Sequence, residues 1–250
     1  MIRALDVLDT FLDGKGPRTV AEITAELGIP RSTAYELVQT LVARHCLRAV
    51  DGHAHRYDLG LHLFELGSAY ADSIELSEQG RHVAQELVAR SDETVHVATL
   101  DGTDVVYLVK ADSSKAVRMV SAVGRRLPAH CTAVGKALLS GLDDDEVARR
   151  YADGEWIRMT PNSLESLDAL LTELAQIRER GLAVDNCESN VDVRCVAAPV
   201  RDASGHVVAG LSISAPAHRT ERLSDELAGY VADGATALSA RLGYRKPVGA

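Results

Sequence analysis

Apolar residues at Ile2, Leu5, Val7, Leu8, Phe11 and Leu12 recur at helical spacing, and Gly14, Gly16 and Pro17 stop the helix they predict. Thr19 can cap a second helix, with Glu22 three residues later completing a capping box. Val20, Ile23 and Leu27 form the buried face of that helix, and Gly28-Ile29-Pro30 predicts a tight turn. A third helix opens at Arg31 or Ser32, with Tyr35, Leu37, Val38 and Leu41 on its apolar side. Residues 47–50 and 55–59, joined through Asp51-Gly52, predict a β-hairpin. Helix, glycine-containing turn, helix is the helix-turn-helix arrangement, and the hairpin behind it makes the winged form. A small helical bundle with a hairpin is the blander alternative; the capping box, turn and hairpin in this order favour the winged form.

Residues 59–74, LGLHLFELGSAYADSI, place Leu61, Phe64, Leu66 and Tyr70 on more than one side of a helix. Such a segment needs two neighbours. It is either a core helix of one domain or a connector that packs against a second copy of itself. From Glu78 onward a helix over about 78–90 is followed by alternating runs at 94–100, 104–110 and 116–120, with Asp101-Gly102 as a hairpin turn. Helices follow from Thr132, over 143–151 and over 163–180. Strands at 195–201 and 207–214 and a last helix over 222–242 complete the chain. This order predicts an α+β domain with a largely antiparallel sheet. The expected division is 1–58 for the winged helix-turn-helix, 59–75 for this helical segment and 76–250 for the second domain.

Composition narrows the class. At 46% hydrophobic and 25% charged residues, the 250-residue chain reads as ordinary globular protein. No apolar run approaches the roughly 18 residues of a membrane span, and no export signal precedes the first helix, so a cytoplasmic protein is expected. Aromatic residues are 4%, too few for a stacking platform on single-stranded nucleic acid. Cys46, Cys131, Cys187 and Cys195 contain no C-x-x-C pair, which argues against a disulfide framework or a zinc ribbon, and no metal site is expected. No cofactor is expected. With 27 Lys and Arg against 36 Asp and Glu, the net charge is −9, so any nucleic-acid contact must come from a local surface rather than from the bulk field. Residues 1–58 themselves hold seven cations against eight anions.

Taken together these residues resemble the IclR family of bacterial transcription regulators. The N-terminal likeness is RALDVLDTF, TVAEITAELGIPRSTAYELVQTL and HRYDLGLHLFELG. Further on it is ETVHVATLDGTDVVYL, GRRLPAHCTAVGKALLS, IRERGLAVDNCES, VRCVAAPVRDASG and LSISAP. The resemblance implies a winged helix-turn-helix, a linker helix and a GAF-like effector-binding domain. It further implies a homodimer or dimer of dimers that represses or activates operons for small carbon compounds. The chain departs from the family pattern at Glu36, where a basic residue is common, at Asp192, usually Gly, and at Cys187, where an acidic residue is common.

The N-terminal side chains of a recognition helix reach base edges in the major groove of double-stranded DNA. Arg31, Ser32, Thr33, Tyr35 and Glu36 occupy that end. Arg31 suits a guanine edge or a phosphate, while Glu36 either accepts from a cytosine amino group or is a solvated surface residue. The wing offers His53, His55 and Arg56, and Arg56 is the expected phosphate or minor-groove contact unless it is an ordinary surface arginine. In the second domain, Thr132 caps a helix whose first turn presents the N–H groups of Ala133, Val134 and Gly135 to an anion. The resemblance places a small organic acid there. It adds Ala116 and Met119 as an apolar wall, Asp185 opposite a ligand hydroxyl or amine, and Val193 and Cys195 at the back. Ser212 and Ser214 share one strand face and either donate to the ligand or face solvent. His130, Cys195 and Asp185 can also be drawn as a nucleophilic triad, and Cys131 or Cys187 as a redox sensor. No nucleophile elbow supports an enzyme.

Overall fold

The computed structural model describes residues 2–12, 14, 16–50, 55–72, 75–115, 122–152, 154 and 156–245. Side chains at 68–72, 75 and 221–224 lie outside that description, as do the whole of the expected 51–52 turn, His53, and the 116–120 strand with Ala116 and Met119. The chain divides into two compact units, Met1–Ser73 and Ile74–Ala250.

In the first unit, helices α1 (Ile2–Asp9), α2 (Val20–Leu27) and α3 (Arg31–Ala43) precede a small antiparallel sheet, and α4 (Leu61–Asp72) follows it. The sheet joins β1 (Arg18–Thr19), β2 (Leu47–Ala49) and β3 (Arg56–Leu59) in the order β1-β3-β2. The Thr19 hydroxyl accepts from Glu22 N–H at 3.2 Å, and the Glu22 carboxylate accepts from Thr19 N–H at 2.6 Å. The capping box therefore forms, and Thr19 also ends β1, a strand the hydrophobic pattern does not announce. Gly28 closes α2 at φ +62, a conformation that favours glycine. The core gathers Val7, Phe11, Val20, Ile23, Ala34, Val38, Leu41, Leu47 and Tyr57. Tyr35 is not part of it: the buried stripe of α3 is Ala34–Val38–Leu41, and Tyr35 turns outward at 52% exposure. Gly60 admits a close approach, because a Cβ there would strike the carbonyl of His45. Along α1 and α4, Ile2, Leu5, Leu61, Phe64 and Leu66 stay exposed within the single chain.

The second unit starts with α5 (Glu75–Ser91) and the hairpin of β4 (Thr94–Asp101) and β5 (Asp104–Ala111). Next come β6 (Arg126–Pro128), a 3₁₀ turn at Ala129–Cys131, α6 (Ala133–Leu139), α7 (Asp144–Tyr151) and α8 (Leu167–Arg180). Strands β7 (Ala183–Asn186), β8 (Val193–Arg201) and β9 (Val207–Pro216) lead into α9 (Ala217–Arg241). Six strands pair antiparallel in the order β6-β5-β4-β9-β8-β7. Alternation divides the sheet. Val95, Val97, Val196, Ala198, Leu211 and Ile213 face the core that also holds Val83, Leu87, Val231 and Leu238 of α5 and α9. Tyr107, Ala183, Cys195 and Ala197 face the opposite core, with residues of α6, α7 and α8. The short strands β6 and β7 escape the hydrophobic pattern because three or four residues cannot display an alternation. Helix α8 starts later than expected because Ser166 caps it, its hydroxyl accepting from Ala169 N–H at 3.2 Å.

Candidate functional site

The exposed end of α3 is the first candidate surface. Arg31, Ser32, Tyr35 and Glu36 are exposed and Thr33 is half-buried, while Ala34 and Val38 anchor the helix from beneath. This is the geometry of a helix whose N-terminal turns can enter a groove. The wing cations are committed within the unit. The Arg56 guanidinium donates to the Pro17 carbonyl at 2.7 Å and lies 3.7 Å from Glu22. Arg48 pairs with Asp58 and Arg18 with Glu26, both at 2.7 Å. Arg56 thus ties the hairpin to the segment before α2, a role that its expected phosphate contact leaves out.

The second candidate site lies where α6 crosses the sheet, packed against β4, β9, β8 and β7. Cross-strand register aligns Asp185, Cys195, Ser214 and Thr94 in one row. A second row runs Ala183, Ala197, Ser212 and His96. Asp185 is fully buried, and Thr94, His96, Ser212 and Ser214 are within 3% of it. Ser212 and Ser214 therefore do not face solvent. The His96 and Tyr107 rings pack in a tilted arrangement, 55° between planes, with centroids 4.9 Å apart. Sequence reasoning missed Thr94, His96 and Tyr107 because only strand pairing reveals which side of the sheet they share.

Helix α6 itself is buried throughout, and Ala133 and Val134 are 1% and 2% exposed. Thr132 is its N-cap, but the hydroxyl takes the Gly135 N–H at 3.0 Å, so that donor serves the cap instead of an anion. Gly135 is needed for packing: a Cβ there would collide with the Ala129 backbone. Val134 rests on Gly210 of β9, where an added Cβ would meet its side chain at 2.6 Å. Val193 is half-buried and pairs with Pro216.

Asp185 is occupied. One carboxylate oxygen accepts Glu188 N–H at 2.6 Å and Ser189 N–H at 3.3 Å, and the other accepts the Ser189 hydroxyl. Burial raises its pKa to about 6 in spite of these donors. Burial also brings His96 down to about 4, with Lys110 adding to the effect, so its imidazole is neutral at physiological pH.

The cysteine alternatives do not fit this geometry. All four thiols are free, and burial pushes Cys195 and Cys131 up, the reverse of an activated nucleophile. His130 is not turned to serve Cys195: its ring packs against Tyr151 and Trp156, and Nε2 meets the Ile157 carbonyl at 3.0 Å.

A winged helix-turn-helix with an exposed recognition helix, carried with an antiparallel α+β unit, defines a DNA-binding transcription regulator of two-unit design. The IclR helix-turn-helix domain matches residues 2–51, and the bacterial transcriptional regulator IclR C-terminal domain matches residues 68–240. The chain belongs to the IclR family. It is 39% identical to the transcriptional regulator KdgR of Escherichia coli over 90% of this chain and 86% of that one. Identity to XynR of the same organism is 35%, over 97% and 96%. Among solved structures, a putative transcriptional regulator from Rhodococcus sp. RHA1 superposes with a TM-score of 0.84 at 30% identity, covering 96% of both chains. Its relatives are regulators of transcription, and this chain is a regulator rather than an enzyme. Among the described residues no helix is long and apolar enough to cross a membrane.

Proposed function

We propose that the second unit senses a small organic acid and that its occupancy changes the affinity of paired winged helices for an inverted-repeat operator. The carrying observation is the buried polar field beneath α6. Thr94, His96, Asp185, Ser212 and Ser214 stand where apolar side chains would pack at no desolvation cost. The field offers hydroxyl, imidazole and carboxyl groups beside the first turn of α6, where Ala133 and Val134 supply N–H donors to a carboxylate. Asp185 selects an acid that also carries a hydroxyl or amine, since it is itself an acceptor. Cys195 and Val193 close the back in this reading, and Ala116 and Met119, which lie outside the described residues, are proposed for the apolar side from the family resemblance alone. Within residues 1–58, Arg31, Ser32, Thr33, Tyr35 and Glu36 meet DNA, and Arg56 serves as a wing contact through the 41% of its side chain left exposed. Residues 59–75 connect this part to residues 76–250 and pair two copies into a homodimer, or a dimer of dimers, acting in the cytoplasm.

Thermal denaturation with pyruvate, lactate and 4-hydroxybenzoate tests the sensor role. Selective binding raises stability by about 2.7 kcal/mol at a hundredfold excess over Kd. At least one acid is expected to raise the midpoint, its uncharged amide is not, and the same acid is expected to alter a gel shift on operator DNA. If no small acid stabilises the chain, the sensor reading fails and a constitutive DNA-binding protein remains.

A further inference from the structure

Behind the polar field lies a buried ion pair that neither α6 nor the β7–β8 turn explains alone. Lys136 is 1% exposed on α6, and its Nζ donates to both carboxylate oxygens of Glu188, at 2.7 and 2.8 Å. Glu173 of α8 stands 3.7 Å from the same ammonium. Glu188 is 6% exposed and sits in the turn three residues after Asp185. Cys187, between them, has φ +61, so this turn is tight and left-handed at its centre. The turn's backbone is held from one side by Thr160 and Ser163, whose hydroxyls donate to the carbonyls of Cys187 and Glu188, each at 2.7 Å. Lys136 holds it from the other. A buried ion pair adds little stability over apolar residues of the same size, so its value here lies in which groups it brings together. It joins the helix and the turn that carry opposite walls of the proposed acid site.

We propose that Lys136 and Glu188 form a clasp that positions the Asp185 turn against α6, which makes them positioning residues of the effector site. In its functional part this rests on the acid-sensing role proposed above; in its structural part it does not.

Hydrogen exchange on the full chain separates the two. Removing Lys136 alone strands a buried carboxylate, so the informative variant is K136M/E188L, which takes out both charges. The thermal midpoint of this variant is expected to stay near that of the unaltered chain, while protection of the Glu188 and Ser189 amides falls about tenfold or more. K136R, which keeps the charge, should preserve protection. A folded K136M/E188L with unchanged protection of these amides overturns the clasp. Should that variant not fold, the reversed pair K136E/E188K decides: restored protection supports the clasp, and a folded protein with a loose turn refutes it. With whichever of pyruvate, lactate or 4-hydroxybenzoate shifts the unaltered chain, K136M/E188L should bind about tenfold or more weakly. Full retention of that affinity again refutes the proposal. If no acid shifts the unaltered chain, the acid-sensing reading fails while the exchange experiment still decides the clasp.

Discussion

Asp185 shows how one residue can carry a structural and a chemical role together. Its carboxylate organises the β7–β8 turn through two backbone N–H groups and the Ser189 hydroxyl. Replacing it by Ala strands the Glu188 and Ser189 donors and is expected to cost about 1–3 kcal/mol in urea denaturation. Asp185→Asn keeps an acceptor for them and is the better probe of function: operator affinity should persist while any acid-induced thermal shift is lost. The same residue sets a pH dependence. Its folded pKa near 6 lies above the unfolded 3.8, so the folded state takes up the proton first. Its burial therefore costs stability in full above pH 6, and the cost disappears as pH falls towards 4, by about 3 kcal/mol at most. His96 acts in the opposite sense. Its folded pKa near 4 lies below the unfolded 6.5, so its contribution is intact above pH 6.5 and is lost as pH falls towards 4. The two slopes oppose each other over one window. Asp185→Asn should accordingly become more acid-labile than the unaltered chain between pH 6.5 and 4, and His96→Gln should lose less stability than the unaltered chain over that range. Denaturation midpoints measured against pH check both.

At the scale of elements, helix ends and glycine contacts decide how each piece is used. Thr19→Ala removes half of a capping box and should cost about 1 kcal/mol. Gly135→Ala forces the α6 backbone away from Ala129 and should cost about 1–3 kcal/mol or more, read from the same unfolding curves. Arg31 is the exposed cation at the start of α3, and among the described residues no partner within the fold holds it. Arg31→Ala is expected to weaken operator binding and lower the salt slope by about one, without moving acid binding. An unchanged gel shift would remove Arg31 from the interface. The long helices and the β4–β5 and β8–β9 strands were legible in the chain because their periodicity runs for many residues. Strands β1, β6 and β7 were not, since two to four residues carry no period and only pairing creates them.

The whole molecule carries net negative charge, and its DNA-binding part nearly balances cations with anions. One winged helix of this kind makes few phosphate contacts, and Arg18, Arg48 and Arg56 are engaged within the fold. In the proposed function, two copies together supply the contacts for tight operator binding. The exposed Ile2, Leu5, Leu61, Phe64 and Leu66 offer apolar surface for such pairing. Phe64→Asp is expected to shift sedimentation towards monomer and to abolish high-affinity operator binding; a monomer that bound as tightly would refute the pairing. The longer helices, the β4–β5 and β8–β9 strands and the helix-turn-helix were determined by the sequence alone, because capping, turn chemistry and hydrophobic period act over a few neighbouring residues. Tertiary structure alone decided that Tyr35 faces out and that Arg56 braces the hairpin. It also decided that His96 meets Ser212 and that Lys136 reaches Glu188. These meetings depend on strand register and helix docking between segments far apart in the chain, and no local pattern records them.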